Sequence, residues 1–158
     1  IAMLLTTRGY PQIYAGTENM LDGIPGNYEG HRFDFPGGWD EDERDAFTKE
    51  GRTAEENEIF DYTRALLNYR KATPALHNGK MTQFIPYDGI YLYARYNNEQ
   101  TVLCIFNNGN ADKKITLERY AEVIKDFTSA KDVVTGETFN IADGLTIKGK
   151  SALIVELK

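Results

Sequence analysis

The stretch Gly9-Tyr10-Pro11-Gln12-Ile13-Tyr14-Ala15-Gly16-Thr17-Glu18 decides how this chain is read. Residues 1–8 before it are mostly apolar with two threonines, and the glycine and proline that follow are helix-ending residues. Glycine takes the left-handed C-terminal position, and proline cannot continue the turn. Residues 12–15 then form a short, mostly apolar run closed by Gly16, which predicts a buried strand of a parallel sheet. Residues 17–39 are rich in glycine, proline, aspartate and aromatics and are longer than an ordinary connection, so they are read as a functional loop.

Further along, residues 40–49 alternate in charge around Phe47, which predicts one short exposed helix capped by Asp40 with Glu43 three residues on. Asn57 is the expected N-cap of the next helix, which carries Ile59, Tyr62, Leu66 and Tyr69 at three- and four-residue spacing and stops before Pro74. From Lys80 onward the period changes from helical to alternating, and turn residues recur at Tyr87-Asp88-Gly89, Asn97-Asn98, Asn107-Asn108-Gly109-Asn110, Thr135-Gly136, Asp143-Gly144 and Lys148-Gly149-Lys150. This spacing predicts seven or eight antiparallel strands in a sandwich, near residues 80–85, 90–96, 100–107, 113–117, 127–134, 137–141, 144–148 and 151–157.

Composition narrows the function classes. The 158 residues carry a net charge of -6, which argues against nucleic acid as a partner, since phosphate binding needs clustered lysine and arginine. One cysteine, Cys104, forms neither an intrachain disulfide nor a zinc site, and its apolar neighbours Val102, Leu103, Ile105 and Phe106 make it a core residue. No charged-then-apolar leader and no run of about 20 apolar residues occurs, so no signal peptide or membrane span is expected within these residues.

Three segments carry a family resemblance. Residues 9–18, the run Arg32-Phe33-Asp34-Phe35-Pro36-Gly37-Gly38-Trp39, and Asp61-Tyr62-Thr63-Arg64-Ala65-Leu66-Leu67-Asn68-Tyr69-Arg70-Lys71 with Pro74-Ala75-Leu76 and Gly79 resemble the C-terminal part of the α-amylase family, glycoside hydrolase family 13, of the neopullulanase or cyclomaltodextrinase-like kind. The resemblance implies an α+β fragment: residues 1–78 as the last strand, loop and helix of a (β/α)8 barrel, and residues 79–158 as an all-β antiparallel sandwich. It also implies that the catalytic carboxylates of a retaining mechanism lie on earlier barrel strands. The chain is then expected to hydrolyse nothing by itself, and no catalytic residue is assigned to it. A barrel strand without neighbours exposes unpaired backbone groups, so residues 1–55 are expected to be the less protected part, and self-association of the fragment is one outcome. The missing barrel portion is the expected partner, together with α-glucan oligosaccharides in the intact enzyme. No cofactor is assigned to this chain; calcium occurs in many relatives and would be held largely by other segments. Relatives are periplasmic, surface-bound or cytoplasmic, so the resemblance leaves the compartment open.

Substrate-contact candidates are Arg32, Asp34 and Trp39. By resemblance, Arg32 matches an arginine that contacts sugar after the eighth strand, although position 28 is tyrosine where many relatives carry aspartate. Its alternative is to pin the loop by pairing with Asp34 or Glu29. Asp34 can bind sugar, cap the following turn or pair with Arg32. Trp39, the single tryptophan, with Phe33 and Phe35, can stack on a pyranose face or anchor the loop. Glu18 and His77 are structural on this reading, and Tyr87, Tyr91, Tyr93 and Tyr96 are packing residues or a secondary carbohydrate surface. Asp112, Asp126, Asp132 and Asp143 lack the spacing of a calcium loop. An independent carbohydrate-binding module and a structural or assembly domain are the competing readings of the sandwich.

Overall fold

A computed structural model describes residues 1–23, 26 and 33–158. The chain divides into two compact units, Ile1–Pro11 with Ala65–Lys158, and Gln12–Arg64.

The larger unit is built on eight antiparallel strands: β1 (Lys80–Gln83), β2 (Ile90–Tyr96), β3 (Thr101–Asn107), β4 (Lys113–Ile115), β5 (Ser129–Asp132), β6 (Thr138–Asn140), β7 (Leu145–Ile147) and β8 (Ser151–Leu157). All eight lie within the segments that alternation and turn residues mark out. Six of them form one sheet in the order β1-β2-β3-β8-β5-β6, and β4 pairs with β7 in a second, small sheet. The core lies between the two: Leu92 opposite Ile105, Ala94 opposite Leu103, and Leu103 opposite Val155 present one face of the large sheet to Ile147, Leu145 and Leu117. Burying a side chain of this size is worth about 1.5–3 kcal/mol, so this layer is the main source of the domain's stability.

The opposite face of the large sheet is also covered, which the polar look of Tyr91, Tyr93 and Arg95 did not announce. Tyr93, Arg95, Val102, Cys104 and Ile154 are all buried. Rings of Tyr91, Tyr93 and Phe106 pack at centroid distances of 5.5–6.2 Å, so the aromatic set on this face is packing. Helical segments of this unit include α1 (Ala2–Thr6), the C-terminal portion of α2 (Ala54–Ala72), and α3 (Pro74–His77). Helix α1 has five residues, well below the length at which a helix holds itself together in water. Its stability comes from tertiary contacts at its C-terminal end. Arg95 Nη1 donates to the Thr6 carbonyl at 2.9 Å, and Arg70 donates to the Leu5 carbonyl at 2.8 Å and the Gly9 carbonyl at 3.1 Å. The Thr6 hydroxyl bonds Tyr93 Oη at 2.6 Å. Cations at carbonyls left over at a helix end are favoured both as hydrogen-bond donors and by the helix dipole. The helix stops at Thr6, earlier than Gly9, because Thr7 is already extended at ψ 174°. Cys104 is buried as expected, and that burial pushes its thiol up to about 12.

The smaller unit corrects two expectations. Residues 12–15 lie in no sheet, and Gln12, Tyr14 and Ala15 are exposed. A strand exists only through hydrogen bonds to a neighbour, and the described residues set none beside this segment. A 3-10 turn, Thr17–Asn19, follows it. Residues 40–49 form successive turns and no helix, because the Asp42 and Asp45 carboxylates accept local backbone N–H groups and hold the chain in turn geometry. Helix α2 begins earlier than Asn57. Thr53 Oγ1 accepts the Glu56 N–H at 3.2 Å and the Glu56 carboxylate accepts the Thr53 N–H at 2.8 Å, a reciprocal cap spelled Thr-x-x-Glu.

Candidate functional site

Residues 33–52 of the smaller unit carry the candidate site. Asp42 organises its tip: one carboxylate oxygen accepts the N–H of Gly37 at 2.7 Å and that of Trp39 at 3.1 Å, while the Asp42 N–H donates back to the Trp39 carbonyl at 3.1 Å. These donors, the Trp39 N–H first and the Gly37 N–H second, hold the Asp42 carboxyl below the usual carboxylate range. Trp39 is fixed through its backbone, yet its side chain remains largely open, the residue being 64% exposed. Of the two roles open to the loop aromatics, anchoring falls to Phe35, whose ring meets Phe47 at 4.4 Å. Ala46, between them in the turn, is buried and its N–H donates to the Pro36 carbonyl at 2.9 Å.

The loop is tied to the first turn of α2. Arg44 grips Glu56 in a two-pronged pair at 2.6 and 2.7 Å and also donates to the Gly51 carbonyl. Bidentate guanidinium–carboxylate pairs fix geometry as well as charge. The Arg44 hydrogen bond holds the Glu56 carboxyl below its ordinary value and raises the Arg44 guanidinium in turn. Arg52 donates to the carbonyls of Ala46 and Phe47 and to Asn57 Oδ1, and its guanidinium lies 3.9 Å from the centre of the Phe60 ring. Asn57, expected as the cap, reaches back to the carbonyls of Lys49 and Arg52.

Among the three sequence candidates, Trp39 is open on a built turn. Asp34 is exposed and its side chain makes no hydrogen bond among the described residues; the capping expected of it is done by Asp42. Arg32 lies outside the described residues. Asp42, Arg44 and Glu56 were missed, although the Thr53-x-x-Glu56 spacing is a readable signal for part of this arrangement. His77 is exposed at the end of α3, and Tyr87 is 69% exposed with the Arg119 guanidinium 5.1 Å from its ring centre. No group of His, Cys, Asp and Glu that could hold a metal ion occurs among the described residues.

Residues 81–156 match the family model of the cyclo-malto-dextrinase C-terminal domain. That match covers nearly all of the β-domain, from β1 to β8. A curated cyclomaltodextrin glucanotransferase of Klebsiella oxytoca is 29% identical over 108 residues, 68% of this chain. Two solved α-amylases share the fold over 99% of this chain. One, from Geobacillus thermoleovorans and complexed with acarbose, has a TM-score of 0.74 at 22% identity; the other, from Anoxybacillus, has 0.71 at 23%. The α-amylase family resemblance read from the sequence therefore holds, and the β-domain that matches this model is the sandwich expected from its alternating strands. The chain spans 15% of the curated relative and 30% and 32% of the solved amylases.

Proposed function

We propose that this chain is the C-terminal part of an α-glucan-active glycosidase in which residues 33–52 present Trp39 to the substrate and the cyclo-malto-dextrinase C-terminal domain supports the barrel. On this reading residues 1–78 supply the last strand, loop and helix of the (β/α)8 barrel and residues 79–158 the supporting domain. The fold likeness to solved amylases over nearly the whole chain supports that division. The catalytic carboxylates belong to other segments of the enzyme, so the chain binds glucan without cleaving it.

The observation that carries the substrate contact is the combination at Trp39: an open indole on a turn whose backbone is tied by Asp42. A flat apolar ring packs on the apolar face of a pyranose while the sugar hydroxyls stay hydrated, and a ring that is already positioned loses little freedom on binding. Asp34, exposed on the same loop, and Arg32 supply hydrogen-bonding groups for the hydroxyls.

The test is a titration of the chain with maltoheptaose, followed by calorimetry and by tryptophan fluorescence, which reports one residue here. Quenching or a blue shift that saturates with the heat supports the reading, together with a heat of binding that Trp39→Phe weakens only mildly and Trp39→Ala strongly. Heat without any change in Trp39 emission overturns Trp39 as the contact. An absence of both overturns glucan contact by this chain.

A further inference from the structure

We propose that Asn78-Gly79 is a site of covalent self-modification, where the Asn78 amide leaves as ammonia through a cyclic imide, and that the fold protects the second such pair, Asn108-Gly109. The inference is independent of the α-glucan reading. These are the two Asn-Gly pairs of the sequence. By residue type they are equal, since in both the glycine leaves the attacking backbone nitrogen unhindered by a Cβ. The structure separates them.

Asn78 follows α3, is exposed, and makes no side-chain hydrogen bond among the described residues. The Gly79 N–H, the group that must attack, donates to no acceptor among the described residues. Both residues border a cavity of about 440 Å³ shared with Lys80, Asn98 and Glu99, all three exposed, so water reaches this joint. At Asn108 the corresponding groups are held. The Gly109 N–H donates to Asn107 Oδ1 at 2.9 Å, and the Asn108 N–H donates to the Gly89 carbonyl at 2.9 Å. Lys150 Nζ donates to the Asn108 carbonyl at 2.7 Å and to its Oδ1 at 3.3 Å. Asn107, which anchors this turn, is itself buried and donates to the carbonyls of Ala111 and Ile147.

The step balances with water as the one co-reactant. The Gly79 nitrogen gives its proton to solvent and bonds to Asn78 Cγ, the Cγ–Nδ2 bond breaks, and Nδ2 leaves as ammonia. Water then opens the imide: cleavage at Cγ gives aspartate, and cleavage at the backbone carbonyl gives the β-linked isoaspartate. Nothing is oxidised or reduced. Ring closure requires the Asn78–Gly79 peptide to swing from its ψ of 7°, and no hydrogen bond from Gly79 N–H resists that swing. Freeing the Gly109 N–H breaks a hydrogen bond first, worth about tenfold in rate. The product strains the joint between α3 and β1. Isoaspartate adds a methylene to the main chain beside Gly79, where a Cβ would already lie 2.2 Å from the Ala75 carbonyl oxygen and 2.7 Å from that of Tyr96.

Ageing of the whole folded chain at pH 8 and 37 °C, followed by brief tryptic digestion and mass spectrometry, tests this. Cleavage after lysine and arginine puts Asn78 in the peptide 72–80 and Asn108 in the peptide 96–113. Asn78 is expected to exchange NH for O about ten times faster than Asn108, and to do so as a pair of aspartate and isoaspartate products. In urea the two rates should converge, since the protection at Asn108 comes from the fold. Asn78→Gln, whose longer side chain closes the ring poorly, should abolish the change in peptide 72–80. Equal rates in the folded chain would overturn the proposal, as would an Asn78 that outlasts Asn108. Aspartate without isoaspartate at position 78 would overturn the imide route. An isoaspartate form as stable toward urea as the fresh chain would overturn the strain placed at Gly79.

Discussion

Arg95 has no exposed surface, and it donates from β2 to the carbonyl of Thr6, 89 residues earlier, at 2.9 Å. Its other recorded acceptor is the Gly79 carbonyl, its Nε has no partner, and no carboxylate pairs with it among the described residues. Burial depresses the guanidinium, although not enough to discharge an arginine. The charge is balanced by carbonyl dipoles at a helix end. Arg95→Ala is therefore expected to cost about 3 kcal/mol, from the cavity and from the Thr6 carbonyl left unpaired. Arg95→Met, which fills the space and removes the buried charge, is expected to cost about half as much. Urea unfolding measures both, and hydrogen exchange at Leu5 and Thr7 should quicken in both.

The reciprocal cap at the start of α2 holds the loop as well as the helix. Thr53→Ala is expected to cost about 1 kcal/mol, the usual value of an N-cap hydroxyl. Glu56→Gln should additionally loosen residues 44–52, since Glu56 binds both Arg44 and the Thr53 N–H. Exchange rates of the loop amides separate the two effects, because Thr53→Ala leaves the Arg44 pair intact.

Acid should release the same loop. Asp42 and Glu56 are both held below their ordinary values, by the Trp39 N–H and the Arg44 guanidinium respectively. A carboxylate depressed in the folded state stabilises fully above its unfolded value and loses that contribution as pH falls through the folded one. Trp39 emission is thus expected to stay constant from neutral pH down to about 4 and to change below it. In Asp42→Asn the acid transition should be smaller; an identical profile would rule Asp42 out as its source.

Gly51 has no space for a methyl group: a Cβ there would lie 1.8 Å from the Asp45 carbonyl oxygen. Gly51→Ala is expected to cost about 2 kcal/mol or more by forcing the two segments apart. Limited tryptic digestion should then open cleavage at Arg44 and Arg52 while the β-domain stays intact.

Cys104 is expected to stay unreactive toward thiol reagents at pH 8, since burial raises its thiol to about 12 and seals it between sheet and helix. Labelling should proceed at the rate of unfolding. Faster labelling in Arg95→Ala than in wild type would show that α1 is the cover.

The β-domain was legible because strand signals are local. Alternation and Asn, Asp and Gly turns place all eight strands from Lys80 to Leu157. The order β3-β8-β5 was not, since it depends on pairings between residues about 50 apart, such as Cys104 with Ile154. The face bearing Tyr93 and Arg95 read as half polar because its cover, α1, comes from the far end of the chain. At the candidate site the residue type of Trp39 was readable, but the structure around it hangs on Asp42, one of eight acidic residues in positions 40–56. Charge alternation there looks helical, and only the carboxylate's grip on two N–H groups distinguishes a turn. The segment 12–15 was read as a strand from its apolar run, yet such a run specifies no strand where no neighbouring chain pairs with it.

The six-stranded sheet ends on β1 and β6, four and three residues long, while the seven-residue strands β2, β3 and β8 lie inside it with a partner strand on either side. Copies of the molecule that meet at the ends of this sheet find only short strands there. Ribbon-by-ribbon growth into fibrils has only three or four residues of backbone to build on at either end of this sheet.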